Sequence, residues 1–174
     1  MSPSPADFWR GNADLRDITP HAERFPEVGL FDALRAACRG VVFEFGCGDG
    51  RLSPAFDPER YFGFDINPAA LQAAKVANPK HRYVTEWVAA DTFLAHTVLL
   101  HVPDSELPAV LDRANRYPRI VISEVMGRKW RREGDPPVFN REAAEYEAMF
   151  ERKVSRIEVP YPRYGCNLTM LVFE

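Results

Sequence analysis

The stretch Val41-Val42-Phe43-Glu44-Phe45-Gly46-Cys47-Gly48-Asp49-Gly50 constrains this chain more than any other. A hydrophobic run with the character of a buried strand ends in a loop with glycine at alternate positions. Glycine reaches positive φ without a Cβ clash and lets a ligand approach the backbone closely. In open α/β sheets ligands bind outside the carboxyl ends of the strands. The loop is therefore placed for a nucleotide-like ligand. Its spacing argues against two common uses. A dinucleotide fingerprint needs G-x-G-x-x-G, whereas here the third glycine comes one residue early and Arg51 stands in its place. A P-loop is excluded because no G-K-[ST] follows.

The remainder of the chain alternates β-branched or aromatic runs with helical patterns, the signature of an α/β sheet. Residues 41–45, 61–64, 82–85, 92–95 and 119–123 read as five strands. Asn67 offers an N-cap and Pro68 a first helical residue before an Ala-rich helix over 69–77. Asp104 or Ser105 is expected to cap a helix running to about Arg116, and Asn140 to cap the helix of R-E-A-A-E-Y-E-A-M-F. Strands over 154–159 and 167–173 follow with no helix between them, so they form a hairpin and are antiparallel. The expected fold is α/β: a single Rossmann-like domain over 1–174, with a mostly parallel seven-stranded sheet, a C-terminal antiparallel hairpin and helices on both faces. Its parts are an N-terminal helical cover (1–38), a cofactor-binding half (39–125) and a substrate-side half (126–174). Another doubly wound fold, of the flavodoxin kind, is the alternative.

Asp65 ends the second strand, about 20 residues after the first glycines, where a carboxylate can accept both hydroxyls of a ribose. Glu44 and Asp49 flank or enter the loop. Two carboxylates would repel a pyrophosphate and suit a ligand carrying an ammonium and a sulfonium. On E-F-G-C-G-D-G, Y-F-G-F-D-I-N and L-A-H-T-V-L-L-H-V-P-D, the chain resembles the class I S-adenosylmethionine-dependent methyltransferases, by motif over 41–123 and by topology in the final hairpin.

The resemblance implies an enzyme with S-adenosylmethionine as cofactor and S-adenosylhomocysteine as product; the sparse cysteines make a reducing cytosol the expected compartment. Gly46, Cys47 and Gly48 would bring backbone amides and carbonyls against the methionine part, with Glu44 behind them ordering the loop or reaching the amino group through water. Asp65 would hold the ribose and Ile66 cover one adenine face. Glu86 and Trp87 match the place that receives the adenine amino group and packs its ring. The implied reaction is in-line methyl displacement onto a small-molecule acceptor, an oxygen of a sugar or secondary-metabolite hydroxyl. The alternatives are an RNA or protein methyltransferase, or a silent module that binds the cofactor without turnover.

His96 falls at the end of the fourth strand and His101 on the next turn, and either is a candidate general base because histidine titrates near working pH. His96 is expected to matter more. Glu124 ends the fifth strand and either orients a substrate or caps a loop. The run Gly127-Arg128-Lys129-Trp130-Arg131-Arg132 is either a solvated loop or a grip for an anionic or sugar-bearing substrate. With a net charge of −3 and no second basic stripe, nucleic acid is not the expected partner. Asp135-Pro136-Pro137-Val138 reads as a Pro-rich loop. Phe8 and Trp9 either close over the site as a lid or anchor the first helix. The aromatics Tyr146, Phe150, Tyr161 and Tyr164 are expected to build the acceptor pocket. Three scattered cysteines, Cys38, Cys47 and Cys166, make neither a disulfide framework nor a zinc site, and no metal is expected. No signal peptide and no membrane span is expected.

Overall fold

The computed structural model describes residues 4–11, 29–131, 133, 138–161 and 165–174. Seven strands form one sheet: β1 (Val42–Phe45), β2 (Tyr61–Phe64), β3 (Arg82–Val84), β4 (Thr92–His96), β5 (Arg119–Glu124), β6 (Val154–Tyr161) and β7 (Cys166–Phe173). Their order is β3-β2-β1-β4-β5-β7-β6. The first five are parallel, and β7 inserts antiparallel between β5 and β6. The order reverses between β1 and β4, so the crevice above their tips is the place where such sheets bind ligands.

Strand alternation builds two cores. Val42, Leu94 and Val121 face the side covered by α2 (Leu30–Ala37), through Leu30 and Leu34. Phe43, Phe93, Ala95, Ile120 and Ile122 face the other side, covered by α4 (Leu107–Ala114) and α5 (Ala143–Glu147) through Leu107, Leu111 and Tyr146. Helices thus cover both faces, as expected. Burying both faces of the sheet explains why its central strands read as unbroken apolar runs. Among the described residues no helix is long and apolar enough to cross a membrane.

The helix α3 (Pro68–Ala77) starts as the sequence predicts: the Asn67 side chain accepts from the N–H groups of Ala69 and Ala70. Two other capping expectations fail. Asp104 caps nothing, because its carboxylate is taken by Arg131 and by the buried Arg141, and α4 begins only at Leu107. Asn140 is buried and donates to the Val125 carbonyl at 2.6 Å, while α5 starts at Ala143 with the Glu145 carboxylate accepting from the Glu142 N–H. That helix holds only five residues, fewer than its sequence suggests. Of the expected N-terminal cover, α1 (Pro5–Gly11) and α2 are described; the residues between them lie outside the described set, as do Arg132, 135–137 and Tyr164.

Candidate active site

A cavity of about 720 Å³ opens above the carboxyl ends of β1, β2, β4 and β5. Its floor comes from the loop after β1. Gly46, Gly48 and Gly50 all have positive φ there, which only glycine adopts freely. A Cβ on Gly46 would lie 2.2 Å from Val98 Cγ2, so the loop after β4 presses directly on its backbone. A Cβ on Gly48 would meet nothing within 4 Å, so the space above it is open.

Four of the loop's N–H groups are taken by other groups of the protein. Those of Gly46 and Cys47 both donate to the Phe64 carbonyl, at 2.8 and 2.9 Å, and that of Gly50 donates to Cys47. The Gly48 N–H donates to Asp65 Oδ2 at 2.8 Å. A phosphate needs N–H donors of this kind, and here they are consumed.

Asp65 stands at the tip of β2 and lines the cavity. Its second oxygen accepts from the Asn67 N–H at 2.8 Å. Burial raises its pKa, and these backbone bonds oppose the rise. Each oxygen keeps a lone pair for a further donor. Ile66 beside it is 38% exposed and lines the same wall. Glu44 lies behind the loop, 2% exposed, and accepts from Tyr61 Oη at 2.5 Å. Burial pushes its pKa up to about 7, against the hydrogen bond from Tyr61 and the nearby Arg51 cation. Burial also raises the Cys47 thiol well above its ordinary range, which makes it inert as a nucleophile.

Glu86 and Trp87 do not fall where the resemblance put them. Neither lines the cavity, and Glu86 is exposed. The Trp87 ring packs among Phe43, Phe45 and Phe93, at 5.2–5.6 Å between centroids, with the Arg113 guanidinium 4.2 Å over it. Once β3 ends at Val84, the aromatic cluster on that face takes the indole.

The two histidines differ in setting. His96 is 2% exposed at the end of β4, with Nδ1 3.1 Å from Ser123 Oγ. Burial, reinforced by the Arg51 charge, holds its pKa well below the ordinary range. His101 is half-buried, and its ring packs tilted against Trp9 of α1 at 4.4 Å between centroids, while the Trp9 ring meets Phe8 edge-on. Trp9 and His101 both line the cavity, so α1 roofs it.

The segment bearing His101 is clamped from both ends. Glu124 Oε1 accepts from the N–H groups of Val98 and Leu99 at 3.0 and 2.8 Å. Arg141, 1% exposed, donates to the carbonyls of Leu99 and Val102 at 2.9 and 2.8 Å and to Asp104. Glu124 is therefore a loop cap, one of the two roles open to it. Arg141 has no warning in the sequence, where it reads as one more charge at a helix start.

The basic run is largely answered. Arg128 pairs with Glu145 at 2.5 Å and Arg131 with Asp104 at 2.7 Å. Lys129, Trp130 and Arg131 line the cavity mouth, with Lys129 Nζ 5.4 Å over the Trp130 ring. Of the aromatics expected in the pocket, Tyr161 lines it, whereas Tyr146 and Phe150 are buried in the core of the opposite face. No group of three metal-ligating side chains occurs among the described residues.

No protein-family model matches the chain, and no curated protein matches it in sequence. Solved structures match its fold closely. Magnesium protoporphyrin IX methyltransferase (ChlM) from Synechocystis PCC 6803, with bound SAM, aligns with a TM-score of 0.65 at 17% identity over 97% of this chain and 90% of that one. DhpI in complex with SAH aligns at 0.69 and 19% over 98% and 95%. The Burkholderia thailandensis 1,6-didemethyltoxoflavin-N1-methyltransferase, with its substrate and S-adenosylhomocysteine, aligns at 0.69 and 19% over 99% and 90%. The fold is that of the class I S-adenosylmethionine-dependent methyltransferases. At these identities the likeness fixes the architecture and assigns no residue a role.

Proposed function

We propose that this chain is an S-adenosylmethionine-dependent methyltransferase acting on a hydroxyl of a small molecule. The observation that carries the reading is the glycine loop itself. It lies at the switch point of the sheet, yet the N–H groups of Gly46, Cys47, Gly48 and Gly50 are consumed by Phe64, Cys47 and Asp65. The site is thus poor for a pyrophosphate and compatible with a cationic ligand, with the Asp65 carboxylate at the β2 tip for a ribose. Solved neighbours of the same fold carry SAM or SAH, which supports the same choice.

S-adenosylmethionine supplies an activated methyl group on its sulfonium. The chain's own work is then to align an acceptor, keep water out and remove a proton. Trp9, Trp130 and Tyr161 line the cavity. His101 is the better base of the two histidines, because it remains partly solvated while burial makes protonation of His96 costly. That reverses the order expected from sequence. His96 keeps a neutral role, hydrogen-bonded to Ser123.

Calorimetric titration with S-adenosylhomocysteine and with NAD tests the reading. Binding of the former and not the latter is expected. Tight NAD binding with no response to S-adenosylhomocysteine would overturn it.

A further inference from the structure

We propose that Arg51 and Thr97 together grip the carboxylate of the cofactor's amino-acid tail, a role that rests on the cavity taking S-adenosylmethionine as argued above. Thr97 has φ 48, the one positive value at a non-glycine position among the described residues. A β-branched side chain rarely adopts this conformation, and such strain persists where the surroundings enforce it, often at ligand sites. Here the Thr97 N–H is fixed to the Ser123 carbonyl at 2.8 Å, and the next N–H, of Val98, is held by Glu124. In this setting Thr97 Oγ1 accepts from Arg51 Nη2 at 2.6 Å, and both residues line the cavity. The hydroxyl accepts from Arg51, so its own proton is directed to another acceptor.

The sheet order says which part of the ligand reaches this pair. Asp65 ends β2, Gly46 follows β1 and Thr97 follows β4, and these strands are neighbours in the order β2-β1-β4. A ligand with its ribose on Asp65 that crosses Gly46–Cys47–Gly48 brings its far end to Thr97. The tail of S-adenosylmethionine carries an ammonium and a carboxylate. A guanidinium repels the first and binds the second, offering a planar fork of donors that suits a carboxylate. The ammonium is left to the loop in front of Glu44. Arg51 also acts electrostatically on both Glu44 and His96, which places its charge at this end of the cavity. The arginine that breaks the dinucleotide fingerprint thereby acquires a use.

Two ligands that differ only in this group make the test: S-adenosylmethionine and decarboxylated S-adenosylmethionine, titrated calorimetrically into the wild type, Arg51→Met, Thr97→Val and Thr97→Ser. The wild type should prefer the carboxylated form by about tenfold or more. Arg51→Met should bind both alike, with its affinity for the decarboxylated form near that of the wild type. Thr97→Val should lose part of the preference and Thr97→Ser keep it. A merely structural role for either residue would weaken both ligands together and leave their ratio intact. An unchanged ratio in Arg51→Met, or in Thr97→Val should Arg51→Met not fold, overturns the grip. Equal binding of both ligands by the wild type overturns it while the cofactor reading stands. Binding of neither by the wild type overturns both.

Discussion

Replacing Glu124 by glutamine should flatten the pH dependence of this protein's stability. Glu124 is 1% exposed; its Oε1 holds two backbone N–H groups, and its Oε2 has no hydrogen-bond partner among the described residues. Burial pushes its pKa from 4.5 up to about 8, against the pull of those backbone bonds. The unfolded chain releases this proton near 4.5 and the folded chain holds it to about 8. Between those values the native state binds more protons, so the stabilisation is fully present below 4.5 and is lost as pH rises through about 8. From about pH 5.5 to 8 the interval is about 2.5 pH units, which at ~1.4 kcal/mol each gives ~3 kcal/mol. Glu44, with its pKa raised to about 7, adds a loss of the same sign. Glutamine keeps a neutral acceptor for Val98 and Leu99 and cannot ionise. Urea unfolding at about pH 5.5 and 8.5 measures the difference. Wild type should lose stability steeply over this range and Glu124→Gln less so, by ~3 kcal/mol. Identical slopes in the two proteins would mean that Glu124 does not carry this pH dependence.

Other substitutions address the site. Asp65→Ala should weaken S-adenosylhomocysteine at least about tenfold by calorimetry, because one carboxylate both holds the Gly48 N–H and faces the cavity. Gly46→Ala should lower stability by ~1–3 kcal/mol and abolish cofactor binding, since its φ is 75 and the new Cβ would lie 2.2 Å from Val98 Cγ2; a thermal melt with and without S-adenosylhomocysteine reads both effects. Arg141→Met should cost ~3 kcal/mol in chemical unfolding, at the low end for a buried ion pair because its partner Asp104 is 60% exposed. His101→Ala should lower turnover by about a hundredfold and leave cofactor affinity nearly intact, and equal turnover by this variant in a methyl-transfer assay would remove the base assignment.

Much of the fold was legible because its determinants are local. The Gly46–Gly50 loop, the Asn67–Pro68 helix start and the apolar runs of β1, β4 and β5 announce themselves by residue type and spacing. The closing hairpin followed from two strands with no helix between them. Long-range partners decided the rest. Asp104 and Asn140 look like caps by local rules, but Arg141 and the Val125 carbonyl, each distant or across a turn, claim them first. Asp65 could be placed at the tip of β2 from spacing along the chain. The adenine pair could not, because the fate of Trp87 depends on Phe43, Phe45 and Phe93 gathering around it. Arg51 carried a usable signal, an arginine where a glycine was expected. Thr97 carried none, since its backbone strain arises only when β4, β5 and Glu124 are assembled.

A crystal structure of the protein with S-adenosylhomocysteine will show what lies above the Gly46–Gly48 loop. Both ribose hydroxyls should lie within hydrogen-bonding distance, about 2.6–3.2 Å, of the Asp65 carboxylate. The tail should cross the loop toward Thr97, leaving the sulfur facing the part of the cavity lined by Trp9, His101 and Trp130. An adenosine bound away from Asp65, or a nucleotide with its phosphates seated on the loop, would rule out this mode of cofactor binding.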